Sequence, residues 1–182
     1  MKRLTSMLAA GLLAAATVLA TAGAASAGPT AAPRTTCSGG ILTSIFVTQN
    51  TVQYFAGVPN NVSSGSTVRL KPSANGTTTW CFTQISSGPN TGQFVVTSLN
   101  GGLALTSRSF STGADVTVTT NGGFASQRWI LDEPSSTTIT LQNVKTSTPT
   151  APKFLRIRNS GPIMGQTVTT GSTATDWTLG VA

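Results

Sequence analysis

Residues 113–131 read GADVTVTTNGGFASQRWIL, and the plan of this stretch returns twice more in the chain. Trp129 closes it, and the other two tryptophans, Trp80 and Trp177, stand 49 and 48 residues away. Equal spacing of a rare residue asks for a test of internal repetition. Upstream of each Trp lies a Gly, two residues, a Val and one further alternating position: Gly65 with Val68 and Leu70, Gly113 with Val116 and Val118, Gly165 with Val168 and Thr170. A small or polar turn follows in each case, at 73–76, 121–123 and 171–173. An apolar residue stands two places after each Trp, namely Phe82, Leu131 and Leu179.

Working outward, two more short strands are predicted in each repeat. The first of each set covers residues 45–50, 94–99 and 139–144, and the second covers 53–56, 103–106 and 154–157. These runs are rich in Thr, Val and aromatics with period-two alternation, and Gly, Asn, Ser and Pro clusters separate them. No segment after residue 36 keeps a 3.6-residue apolar period. The expectation is an all-β fold of three repeats, about 49 residues each, with about four strands apiece.

Twelve strands in three units, each closed by a Trp, resemble the β-trefoil. Gln127-Arg128-Trp129 matches the Gln-x-Trp motif of the ricin-B lectin family, while Thr78-Thr79-Trp80 and Thr175-Asp176-Trp177 keep only the Trp. The resemblance spans roughly residues 41 to 181. It implies a six-stranded barrel capped by three hairpins, with Trp80, Trp129 and Trp177 as threefold-related core residues.

The leader carries Lys2 and Arg3, an apolar Ala-rich stretch, and Ala25-Ser26-Ala27, a small-x-small cleavage pattern. Cleavage after Ala27 is expected, giving a secreted, extracellular protein with no membrane insertion. Residues 28–36 read as a short lead-in without core-forming side chains, and 37–182 as one domain. Without the leader the chain has nine Lys/Arg against four Asp/Glu, scattered rather than in blocks, which does not suggest a nucleic-acid partner. Cys37 and Cys81 are an even pair in an oxidising exterior. They read as one disulfide, with two separate buried thiols as the other reading. The resemblance also puts the first and fourth strands of a repeat side by side, within bridging reach.

The residue inventory speaks against catalysis. There is no histidine, hence no Ser-His-Asp or Cys-His arrangement and no ordinary zinc site. Asp115, Asp132, Glu133 and Asp176 are the only acids, and their placement does not suggest the facing pair that glycoside hydrolysis needs. Asn100-Gly101-Gly102 and Asn121-Gly122-Gly123 read as hairpin turns rather than phosphate cradles, because neither opens a helix. No cofactor is expected.

The resemblance implies sugar sites built from an Asp, an aromatic platform and amides near Gln-x-Trp. All three inherited positions look eroded. The Asp region carries no acid in any repeat, and the platform region reads Lys71-Pro72, Thr119-Thr120 and Thr170-Gly171. Repeat two keeps the best set: Arg108, Phe110 and Asp115 in one loop, then Asn121 and Gln127. Two of these have structural readings as well, Gln127 as a turn-holding hydrogen bonder and Phe110 as a ring folded under its loop. In repeat three, Arg156 and Arg158 are expected on one face of a strand, either simply solvated or facing an acidic polysaccharide. Three functions remain: a carbohydrate-binding module for a glycan or cell-surface polysaccharide, a trefoil inhibitor of foreign hydrolases acting on an extracellular protein partner, or an envelope or toxin-associated structural protein.

Overall fold

In the computed structural model, residues 36–181 are described, apart from 110, 134, 136, 146, 149, 160 and 163. The expected signal peptide and all of the lead-in except Thr36 lie outside the described residues. The first repeat contains β1 (Ile41–Gln49), β2 (Val52–Gly57), β3 (Arg69–Lys71) and β4 (Thr79–Gln84). The second contains β5 (Phe94–Ser98), β6 (Ala104–Thr106), β7 (Thr117–Thr119) and β8 (Arg128–Asp132), with one 3₁₀ turn at Ala125–Gln127. The third contains β9 (Thr140–Asn143), β10 (Phe154–Ile157), β11 (Val168–Gly171) and β12 (Thr178–Val181). Each expected strand is present within a few residues of its expected place. No helix of the described residues is long and apolar enough to cross a membrane.

Antiparallel pairing runs β12–β1–β4–β5–β8–β9. The ring closes where Ile139 and Trp177 exchange two backbone hydrogen bonds, at 2.7 and 2.9 Å. The six strands form a barrel with no open edge, which removes the usual template for edge-to-edge aggregation. The remaining strands form three hairpin extensions, β2–β3, β6–β7 and β10–β11, each continuing a barrel strand. At the hairpin end the repeats meet in a closed ring of backbone bonds: Val68 N to Val116 O, Val116 N to Val168 O, and Val168 N to Val68 O, each 2.9 Å. The threefold sequence pattern is therefore a threefold pattern of hydrogen bonds. The molecule is a β-trefoil.

The core sits where the three repeats converge. Val68, Val116 and Val168 are fully buried, as are Trp80, Trp129 and Trp177. An indole N–H in that setting needs an acceptor. Each finds the equivalent carbonyl of its own repeat: Ala56 at 2.9 Å, Leu105 at 3.0 Å and Leu155 at 3.0 Å. The regular Trp spacing follows from this, because each indole ties the closing strand to the second strand of its repeat. Cys37 and Cys81 are joined by a disulfide with Cα atoms 5.5 Å apart, immediately beside the β1–β4 pairing of Leu42 with Cys81.

Candidate functional site

The turn that joins β7 to β8 is built around Gln127. Asn121 Oδ1 accepts from Gly123 N at 3.2 Å, and Gly123 adopts a left-handed φ of 66° that favours glycine. Gln127 fills the inside of the turn. Its Oε1 accepts from Gly122 N at 2.9 Å and Phe124 N at 3.3 Å, and its Nε2 donates to Thr119 Oγ1 at 2.9 Å and Thr120 O at 2.7 Å. The side chain is 1% exposed, so both ends of the amide are spent on the turn. Of the two sequence readings of Gln127, the structure gives it the turn-holding place and not a ligand-facing one. Thr78 does a similar job in repeat one, accepting from Asn75 N at 2.7 Å. Thr175, at the same place in repeat three, instead ties its turn to β10, accepting from Ile157 N at 3.2 Å.

Holding the turn from within pushes the neighbouring aromatic out. Phe124 is 65% exposed, and its ring lies across Gly122, where an added Cβ would come within 2.4 Å of Cε2. Sequence reasoning passed over Phe124. The available signal was one large apolar residue in an otherwise small and polar turn, outside the alternation of both flanking strands.

Asn121, also exposed, lines a groove of about 310 Å³ on the outer face of the β4–β5 hairpin. Ser38, Thr83 and Thr97 contribute hydroxyls to its walls, Val95 an apolar surface and the bridged Cys81 part of its lining, with no charged side chain among the lining residues. Thr83 pairs with Val95 and Cys81 with Thr97, so strand alternation brings these four to one face. The groove joins two repeats that the sequence reading had treated separately.

The other candidates have different neighbours. Asp115 forms an ion pair with Arg158 of repeat three, and Arg158 also donates to Gly113 O at 3.4 Å. Its backbone bridges to Thr169, again in repeat three. Asp115 thus belongs to the seam between repeats two and three. Arg108 is exposed and follows Ser107, whose N–H donates to Ser126 O at 3.0 Å, which sets the Arg108 backbone beside the 125–127 turn. Phe110 lies outside the described residues.

The paired-arginine expectation also changes. β10 ends at Ile157, so Arg158 has already left the strand, and the Arg156 stem folds over Gly171, where an added Cβ would meet its Cδ at 2.4 Å. One arginine is laid along the sheet and the other is engaged with Asp115. Among the described residues no group of three or more His, Cys, Asp or Glu could hold a metal ion.

No protein-family model matches the chain, and no curated protein matches it. Solved structures do. The designed threefold-symmetric protein ThreeFoil superposes with a TM-score of 0.65 at 20% identity, covering 78% of this chain and 99% of that one. A protein described as the BEL beta-trefoil gives 0.58 at 12% identity, covering 80% and 95%. The Polyporus squamosus lectin, solved with a bound Neu5Ac-containing epitope, gives 0.57 at 15% identity, and the match spans 78% of this chain and 49% of the lectin. Likeness at these identities establishes the architecture, the β-trefoil, while function rests on the site.

Proposed function

We propose that this chain is a secreted, non-catalytic carbohydrate-binding module of the ricin-B lectin-like kind, with residues 1–27 as signal peptide, 28–36 as lead-in and 37–182 as the binding domain. The observation that carries the reading is the exposed Phe124, three residues along the same turn from Asn121 and its uncharged, hydroxyl-lined groove. A sugar presents apolar C–H faces and a rim of hydroxyls. An exposed ring supplies a flat partner for the first, and Asn and Thr side chains supply donors and acceptors for the second. The disulfide suits an oxidising exterior and agrees with the leader pattern.

The binding set differs from the one expected from sequence. Asn121 stays in it, Arg108 stands at its edge, and Phe124 enters. Gln127 supports the turn from within, and Asp115 serves the seam with repeat three. Of the two Pro-bearing loops that an inhibitor could present, 148–153 and 57–60, the second is tied to repeat two: Asn100 Nδ2 donates to Pro59 O at 3.2 Å and Asn60 O at 3.1 Å. A loop pinned along both residues is poorly placed to enter a foreign cleft.

The test is a glycan array with the mature protein, followed by affinity measurements on Phe124→Ala and Asn121→Ala. Binding that falls about tenfold or more in Phe124→Ala, with unchanged melting, is expected for a lost stacking platform. Full affinity in both variants would remove the site, and silence of the wild type on every glycan would remove the function.

A further inference from the structure

A second groove, of about 450 Å³, opens on repeat one. Gly57 and Pro59 form one side, Ser66 and Thr67 another, and Arg69 and Lys71 project from β3. Both cations share the outward face because Leu70 between them is buried, at 2% exposed. The Lys71 stem crosses Gly57, where an added Cβ would come within 3.0 Å of its Cδ. Arg69 Nη1 donates to Gly165 O at 2.9 Å, an anchor supplied by repeat three that leaves most of the guanidinium fork unspent. Ser66 Oγ accepts from Ser63 N at 3.0 Å and lies 3.5 Å from Ser63 Oγ, a long contact in which either hydroxyl can donate, so the Ser66 O–H can turn into the groove when Ser63 is the donor.

Among the described residues neither cation is in an ion pair. No Asp or Glu occurs anywhere before Asp115, and the one ion pair found among the described residues is Arg158–Asp115. Burial lowers the Lys71 pKa from its ordinary value, as expected for a partly desolvated ammonium without a carboxylate.

The geometry points to an oxyanion site: Arg69, Lys71 and Ser66 hold a carboxylate or sulfate group carried by an acidic polysaccharide. The inference rests on the carbohydrate-binding reading above, and it makes repeat one the place where charge is recognised, apart from the neutral groove of repeat two. An anion seated here supplies the counter-charge that Lys71 lacks and meets the planar guanidinium with two oxygens. Affinity then falls as salt rises, and as pH rises into the range where Lys71 discharges, below that of an ordinary lysine.

Affinity electrophoresis of the mature protein through gels containing polygalacturonate, dextran sulfate or neutral dextran tests the idea. Wild type is expected to be retarded by at least one acidic polymer and not by dextran, and the two acidic gels separate carboxylate from sulfate recognition. Arg69→Gln/Lys71→Gln should bind about tenfold more weakly or worse. Lys145→Gln/Lys153→Gln, with the same loss of net charge, should stay within about twofold of wild type. Lys71→Gln alone keeps the Arg69–Gly165 contact and is the variant to use if the double substitution lowers the melting temperature. Equal weakening in both double variants would reduce the effect to net charge and overturn the assignment, as would an unaffected groove variant. A wild type that ignores both polyanions yet binds neutral glycans through Phe124 sinks this inference alone, whereas binding to nothing sinks the carbohydrate reading with it.

Discussion

Replacing Gln127 by Leu removes four hydrogen bonds while keeping most of the side-chain volume, so it separates a structural amide from a ligand-binding one. Two of the lost bonds reach groups inside the turn, Thr119 Oγ1 and Thr120 O, and two serve the amides of Gly122 and Phe124. A hydrogen bond is worth about 0.5–1.5 kcal/mol net, and a buried group left unpaired costs about 1–3 kcal/mol. Gly122 and Phe124 are exposed, and water can take over their N–H groups. Thr119 is buried and keeps a 2.8 Å contact with Thr106 Oγ1, which limits its loss. The expected destabilisation is therefore about 2–3 kcal/mol, corresponding to a fall in Tm of about 5–12 °C for a domain of this size. Urea unfolding followed by tryptophan fluorescence should show a lower midpoint with an unchanged m-value. A variant within about 0.5 kcal/mol of wild type that has nonetheless lost glycan binding would refute the reasoning and return Gln127 to the ligand.

Other perturbations follow from the same geometry. Converting Cys37 and Cys81 to Ser opens a loop of 44 residues' separation and should cost up to about 4 kcal/mol by chain entropy, read as a shift in urea midpoint, with two free thiols appearing on reduction of the wild type. Trp129→Ala removes a fully buried ring and leaves the Leu105 carbonyl without its donor, for a loss of about 3–5 kcal/mol in the same assay. Asp115→Asn breaks an ion pair whose partners are 41% and 49% exposed, so calorimetry should register a change under about 1 kcal/mol, and a larger one would show a buried role for the seam. The β1–β2 turn places Asn50 and Thr51 at φ of 50° and 68°, the left-handed pair of a two-residue hairpin. Thr51→Gly should raise Tm by relieving up to about 1 kcal/mol of β-branched strain.

Most of the architecture was legible because it is written in local periodicity. Alternation of Val and Thr specifies strands, Gly and Asn clusters specify turns, and the 49- and 48-residue Trp spacing marks three equivalent units. Burial of those indoles follows from their size once three strands must share one core, and Cys81, one residue after Trp80, carries the disulfide to the β1–β4 seam. The site was much less legible, since side-chain role depends on neighbours far away in the chain. Gln127 turned inward because the Asn121–Phe124 turn curls around it, and the same curl exposed Phe124. Asp115 pairs with Arg158, 43 residues on, because the threefold cap seats repeat three against repeat two. The groove at Asn121 needs the β4–β5 hairpin of the preceding repeat boundary, and the Arg69 anchor needs Gly165. The amino-acid order by itself determined the repeat, the strands and the core, because hydrophobic alternation acts over two to four residues. Only the tertiary structure decided which polar groups face solvent, because closing the barrel sets residues from different repeats against one another and satisfies some of them there.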